Sequence, residues 1–180
     1  MDWREEPIAR HHDRRAFRCG VPDLDDYLAR HARQNHESGG AKTFVAVAAA
    51  GDPQVLGYYS VSPASLDYPT VPASVTRRLG RYPVPVFRLA RLAVDERLHG
   101  QGLGGDLLLA AGARVLAVAA QAGGVALAID ALDAAAARWY QRFGAVPLLD
   151  DPLRLVLPLD VIAAALDALP DASSGLTPAP

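Results

Sequence analysis

The chain has 180 residues, 51% apolar and 21% charged, with a formal net charge of -2 at pH 7. That is one ordinary domain with enough material for a core, and it excludes a disordered chain and a uniformly basic polyanion binder. The single cysteine, Cys19, excludes an internal disulfide framework and suits a reducing cytoplasm.

In chain order, the N-terminal "MDWREEPIARHHDRR" is polar, and no uninterrupted apolar stretch of about 18 residues occurs, so neither a signal peptide nor a membrane span is expected. "GVPDLDDYLARHARQNHE" predicts a helix with Asp23 as N-cap and Leu24, Tyr27, Leu28 and Ala32 on one face. "KTFVAVAAAGDPQVLGYYSVSPA" reads as two strands around a Gly-Asp-Pro turn, a hairpin. "DYPTVPASVTRRLGRYPVP", punctuated by prolines, holds one short helix. "VFRLARLAV" is an apolar strand, "DERLHGQGLGG" a polar loop, and "GGDLLLAAGARVLAVAAQAGG" a long helix ending at a glycine pair. "VALAIDAL" is a buried strand, and "DAAAARWYQRFGA" a helix capped by Asp133 and stopped at Gly144. "RLVLPLD" forms a strand and "VIAAALDAL" a last helix. This order predicts a mixed α/β or α+β sheet with one clear parallel crossover. Residues 1–168 read as one domain and residues 169–180 as a flexible tail.

Charge is unevenly placed. Six arginines fall between Ser74 and Arg97, against Asp95 and Glu96, which read as solvated loop charges. Arg77, Arg78 and Arg81, with Lys42 and Arg91, read equally as an RNA-backbone footprint or as a solvated helix face plus a structural Arg91. The histidines His11, His12, His31 and His36 show no zinc spacing with cysteines or acids, and no metal is expected.

The glycine run Gly100-Gln101-Gly102-Leu103-Gly104-Gly105 matches the G-x-G-x-x-G spelling of a dinucleotide turn. Its setting argues otherwise. Five residues, Asp95 to His99, separate the strand end at Val94 from Gly100, and one crossover cannot supply the two βαβ halves of a dinucleotide site. A Walker loop fails because no Lys-Ser or Lys-Thr follows the glycines. Arg97-x-x-Gly100-x-Gly102, between an apolar strand and a helix, remains. Glycines there let backbone N–H groups converge on a pyrophosphate, aided by the helix dipole, with Arg97 or its backbone positioning that group.

This spelling resembles the acetyl-CoA loop of the Gcn5-related N-acetyltransferases. "FRCGVPDLDDYLARHARQN", "GYYSVSPA", "RLARLAVDERLHGQGLG" and "IDALDAAAARWYQRFGA" occur in the order found in its branch of toxin–antitoxin acetyltransferases, over residues 10–158. The resemblance implies a mixed, mostly antiparallel twisted sheet flanked by helices, with a splayed parallel strand pair at the acetyl-CoA site. It implies a cytoplasmic homodimer that acetylates aminoacyl-tRNA and blocks translation, neutralised by a ribbon-helix-helix antitoxin. Leu92, Ala93 and Val94 would present a backbone donor to the thioester carbonyl, and the loop from Arg97 through Gly105 would hold the cofactor. Tyr140 would serve the leaving thiolate as acid. Two positions depart from the pattern: Ala145 replaces an aromatic, and Lys42 stands where an arginine is commoner. A small-molecule amine or a protein N-terminus is the alternative acceptor, and a non-catalytic acyl-CoA-binding module the alternative class. An α-amine titrates near 7.7–8.0 and esterification lowers it further, so such a substrate needs no tuned base; this chain offers no clear one.

Overall fold

Seven strands form one sheet in the order β1-β2-β3-β4-β5-β7-β6. They are β1 (Arg4–Pro7), β2 (Lys42–Val47), β3 (Gly57–Leu66), β4 (Val84–Val94), β5 (Ala126–Asp130), β6 (Val146–Pro147) and β7 (Arg154–Pro158). This computed structural model describes residues 2–77 and 79–169; Arg78 and, of the tail read over residues 169–180, all but Leu169 lie outside it. Every pairing is antiparallel except β4 with β5, which run parallel through Phe87–Leu127, Arg88–Ala128 and Leu89–Ile129. The mixed sheet with one parallel pair is therefore as the sequence order predicts. The sequence pattern missed β1 and β6: "REEP" carries three charges and a proline without alternation, and β6 has only two residues.

Strand β4 is irregular in two ways. Its register on β3 shifts between Ser60 and Val61, pairing Ser60 with Arg91 and Val61 with Leu89, so Ala90 bulges out unopposed. Its pairing with β5 stops at Leu89, and from Ala90 onward the two strands part.

The helices cover both faces. α1 (Pro22–Asp26) runs through a π-helical turn (Tyr27–His31) into α2 (Ala32–Ser38). Leu28 and Ala32 from this segment are buried with Val45, Tyr58 and Ala93 on one side of the sheet. Asp23 is not the N-cap: Val21 holds that place, because Pro22 is pre-set for the first helical position, and Asp23 lies in the first turn. The carboxylate that fastens this corner is Asp25, which accepts the Cys19 N–H at 2.9 Å.

On the other side, α4 (Leu103–Ala122) buries Leu103, Leu107, Leu108, Ala111 and Val115. It packs on α6 (Leu159–Asp167), the last helix among the described residues. The predicted short helix is α3 (Ala73–Thr76), and α5 (Ala134–Gln141) is capped by Asp133, whose carboxylate accepts the Ala136 N–H at 2.8 Å. By length and a mean hydropathy of 1.6, α4 has the dimensions of a membrane span, which the search for an unbroken apolar run overlooked. Here one of its faces lies on the sheet. Arg114 of α4 also ties down the first strand: it pairs with Glu5, donates Nε–H to the Tyr59 hydroxyl at 3.0 Å, and lies over the Phe44 ring.

Candidate active site

Where β4 and β5 part, a cleft of about 910 Å³ opens. Its walls come from both faces of the sheet. Leu92, Val94, Leu103, Trp139 and Tyr140 belong to the α4 side, and Cys19, Val21, Leu24 and Ala93 to the α1 side. The cleft thus passes through the sheet rather than lying on it.

The α4 side begins with the loop. Gly100 and Gly102 take φ of +77° and +91°, conformations that cost other residues about 1–2 kcal/mol. The alternation sorts the amides. The His99 and Gln101 N–H groups turn inward to the Glu96 and Leu98 carbonyls, whereas those of Gly100 and Gly102 have no acceptor among the described residues. Leu103 and Gly104, in the first turn of α4, have no intrahelical acceptor either. Four N–H groups at the N-terminus of α4 are thus left without acceptors, and all four residues line the cleft, a ready fit for a pyrophosphate.

Gly104 and Gly105 do a different job. A Cβ on Gly104 would stand 3.4 Å from Trp139 Cζ2, and one on Gly105 3.2 Å from Phe143 Cζ. These two glycines seat α5, and α5 carries Tyr140. The Tyr140 side chain is 9% exposed, lines the cleft, and makes no hydrogen bond among the described residues. Burial pushes its pKa up to about 12, so the phenol stays protonated across the working range.

The profile of the Acetyltransferase (GNAT) family matches residues 7–145. The chain belongs to that family. It is 38% identical over 142 residues to the "tRNA-acetylating toxin" of Mycobacterium tuberculosis (strain ATCC 25618 / H37Rv), covering 79% of this chain and 83% of the relative. The structure of AtaT complexed with acetyl-methionyl-tRNAfMet is similar at a TM-score of 0.84 and 25% identity, over 92% of this chain and 99% of that one. AtaTR bound with acetyl-CoA is similar at a TM-score of 0.78 and 25% identity, over 92% and 98% of the two chains.

Not every residue singled out from the sequence faces the GNAT cleft. Leu92, Ala93, Val94, Gly100, Gly102, Leu103, Gly104, Gly105, Arg91 and Tyr140 line it. Arg97 turns its guanidinium to the far side of the loop, against Pro53 and Gln54, and forms a bidentate pair with Asp95 at 2.7 and 2.9 Å. Asp95 is not a solvated loop charge: it is 1% exposed and also accepts the Arg97 N–H. Those hydrogen bonds from Arg97 hold its pKa below the usual carboxylate range. Gln101 Nε2 donates to the Arg97 carbonyl at 3.1 Å. Asp95, Arg97 and Gln101 brace the loop from behind.

The basic group is split. Arg91 lies at the cleft, its guanidinium 4.9 Å over the Tyr27 ring. Lys42, at the start of β2, donates Nζ–H to the His36 carbonyl at 2.9 Å. Arg77 and Arg81 precede Val84, at the end of β4 away from the loop and seven residues, about 23 Å, before Arg91. Outside the cleft, Glu6, His11 and His12 bring ligand-type atoms within 4.8 Å of one another. The Ala9 N–H occupies His12 Nδ1 at 3.0 Å, which leaves the ring proton on Nε2, pointing to Glu6 at 3.1 Å. That nitrogen has no lone pair to offer an ion. Among the lining residues that the sequence did not assign to the site are Cys19, Val21, Asp23 and Leu24 on the α1 side and Arg142 beyond α5; nothing local pairs them with the loop.

Proposed function

We propose that this chain is an acetyl-CoA-dependent N-acetyltransferase that acetylates the α-amine of aminoacyl-tRNA, as the cytoplasmic toxin of a toxin–antitoxin pair. The observation that carries the reading is the through-sheet cleft, with an amide cradle on one face and a protonated phenol among its lining residues. Support for the acceptor comes from the 38% identical relative named for tRNA acetylation and from the similar AtaT complex. A homodimer and a ribbon-helix-helix antitoxin complete the proposal.

Acetyl-CoA brings an activated thioester. The amides of Gly100, Gly102, Leu103 and Gly104 hold its diphosphate, and a free N–H on the unpaired edge of β4, near Leu92–Val94, donates to the carbonyl oxygen. The amine nitrogen forms a C–N bond as the C–S bond breaks; nitrogen gives up one proton and sulfur gains one. Tyr140 works mainly as a hydrogen-bond donor. A thiol titrates near 8.5 and this phenol at about 12, so outright transfer from Tyr140 is uphill by about 5 kcal/mol. The nitrogen's own proton, shed as the amide forms, makes up the balance.

The test is incubation with labelled acetyl-CoA and a pool of charged tRNA. Label is expected on the amino acid, and only where its amine is free. Label on no charged tRNA, together with turnover on small amines, replaces this reading with the small-amine one.

A further inference from the structure

Opposite the amide cradle, the α1 side of the cleft is a second chamber with its own chemistry. Cys19 is 6% exposed and Val21 and Leu24 are half-buried, so the wall is apolar. The Cys19 thiol hydrogen bonds to the Val21 carbonyl at 3.7 Å, and burial pushes its pKa up to about 12; at neutral pH it is packing, not a nucleophile.

Two carboxylates line the cleft, Asp23 and Asp130. Asp130 is committed, paired with Arg88 and with Arg154. Nearby Asp25 is taken by the Cys19 N–H, and Asp26 by Arg30 and His31. Among the described residues Asp23 alone of these has no hydrogen-bond or ion-pair partner for its side chain. It lies one helical turn before Tyr27, whose ring carries the Arg91 guanidinium. The chamber therefore presents one free carboxylate, one arginine and an apolar wall.

Resting on the proposed acetyl transfer to aminoacyl-tRNA, with the acceptor entering opposite the amide cradle, we propose that Asp23 selects for an apolar aminoacyl group, receiving its ammonium while Cys19, Val21 and Leu24 enclose its side chain. Arg91 is left for the terminal nucleotide's phosphate. An acidic side chain is rejected twice: it has no partner on the apolar wall, and it is repelled by Asp23. Asp23 acts as a positioning residue, since an exposed pair holds the ammonium loosely and releases it for deprotonation.

One tRNA body, charged by an acylating ribozyme with methionine, valine, aspartate or glutamate, isolates the side chain from the RNA. The wild-type chain is expected to acetylate the apolar pair with kcat/KM at least about tenfold above the acidic pair. Asp23→Asn should raise KM for the apolar substrates about tenfold while the dissociation constant for acetyl-CoA holds. Asp23→Lys should narrow or reverse the discrimination against aspartate and glutamate, which a merely structural role would not do. Equal use of acidic and apolar substrates by the wild type, or an unchanged ratio in Asp23→Lys, overturns the chamber. Failure to acetylate any of the four with acetyl-CoA bound overturns instead the aminoacyl-tRNA reading beneath it.

Discussion

Tyr140→Phe removes one oxygen from a residue that lines the cleft and nothing else. The hydroxyl bonds to no described residue, so its loss orphans no partner, and unfolding free energy should move by less than about 1 kcal/mol. The rate should respond far more. A preorganised donor to developing charge in a site that excludes water contributes a factor of about 10²–10³, or roughly 2.7–4 kcal/mol of barrier. The assay is thiol release from acetyl-CoA read with a disulfide dye, in which the buried Cys19 stays silent in the native chain. The same assay run from about pH 6 to about pH 10 probes the donor's protonation state. Activity should climb as the substrate amine loses its proton and then stay level, because a phenol at about 12 keeps its proton throughout. A variant retaining a third of wild-type turnover, or a descending limb near about pH 8–9 that Tyr140→Phe does not remove, would assign the donor elsewhere.

Gly102→Ala meets no atom but must adopt φ near +91°; stability should fall by about 1 kcal/mol, a few degrees in melting temperature, and acetyl-CoA affinity should drop in titration calorimetry. Arg114→Met releases Glu5 and Tyr59 at a partly exposed site, so the loss should be about 1 kcal/mol, with hydrogen exchange quickening in β1 before the rest of the sheet. His12, buried and held neutral by desolvation, has its folded pKa below its unfolded value near 6.5. As pH falls below about 6.5 the unfolded chain binds the proton first, so stability is lost on acidification, with His36 contributing in the same sense. Denaturant titrations should show that slope flattened in His12→Gln; an unchanged slope would place its origin elsewhere.

Much of this fold and site was open to a reader of the sequence, for identifiable reasons. Periodicity exposed α4 and α5, the apolar run exposed β4, and the spacing from Val94 to Gly100, with the single crossover, argued against a dinucleotide turn. What stayed hidden depends on distant partners. Glu5 meets Arg114 across 109 positions, so the edge strand it fastens looked like polar coil. Four glycines in one loop looked like a single device, whereas two set backbone direction and two make room for Trp139 and Phe143, some 35 residues later. Arg97 looked like a phosphate ligand because its charge is visible in the sequence and its buried partner, Asp95, is not visibly buried. Asp23 looked like a cap, but Pro22 starts the helix one residue earlier and leaves the cap to Val21.

The parting of β4 from β5 leaves the sheet open on both faces, and that has a kinetic meaning. Two reactants approaching from opposite faces can reside together, and neither blocks the other's exit. The only thiol nearby, Cys19, is held protonated and does not carry the acyl group between visits. Initial rates against both substrates should therefore give intersecting lines, the mark of a ternary complex, and on the proposed function the spent coenzyme can depart while the modified acceptor is still in place.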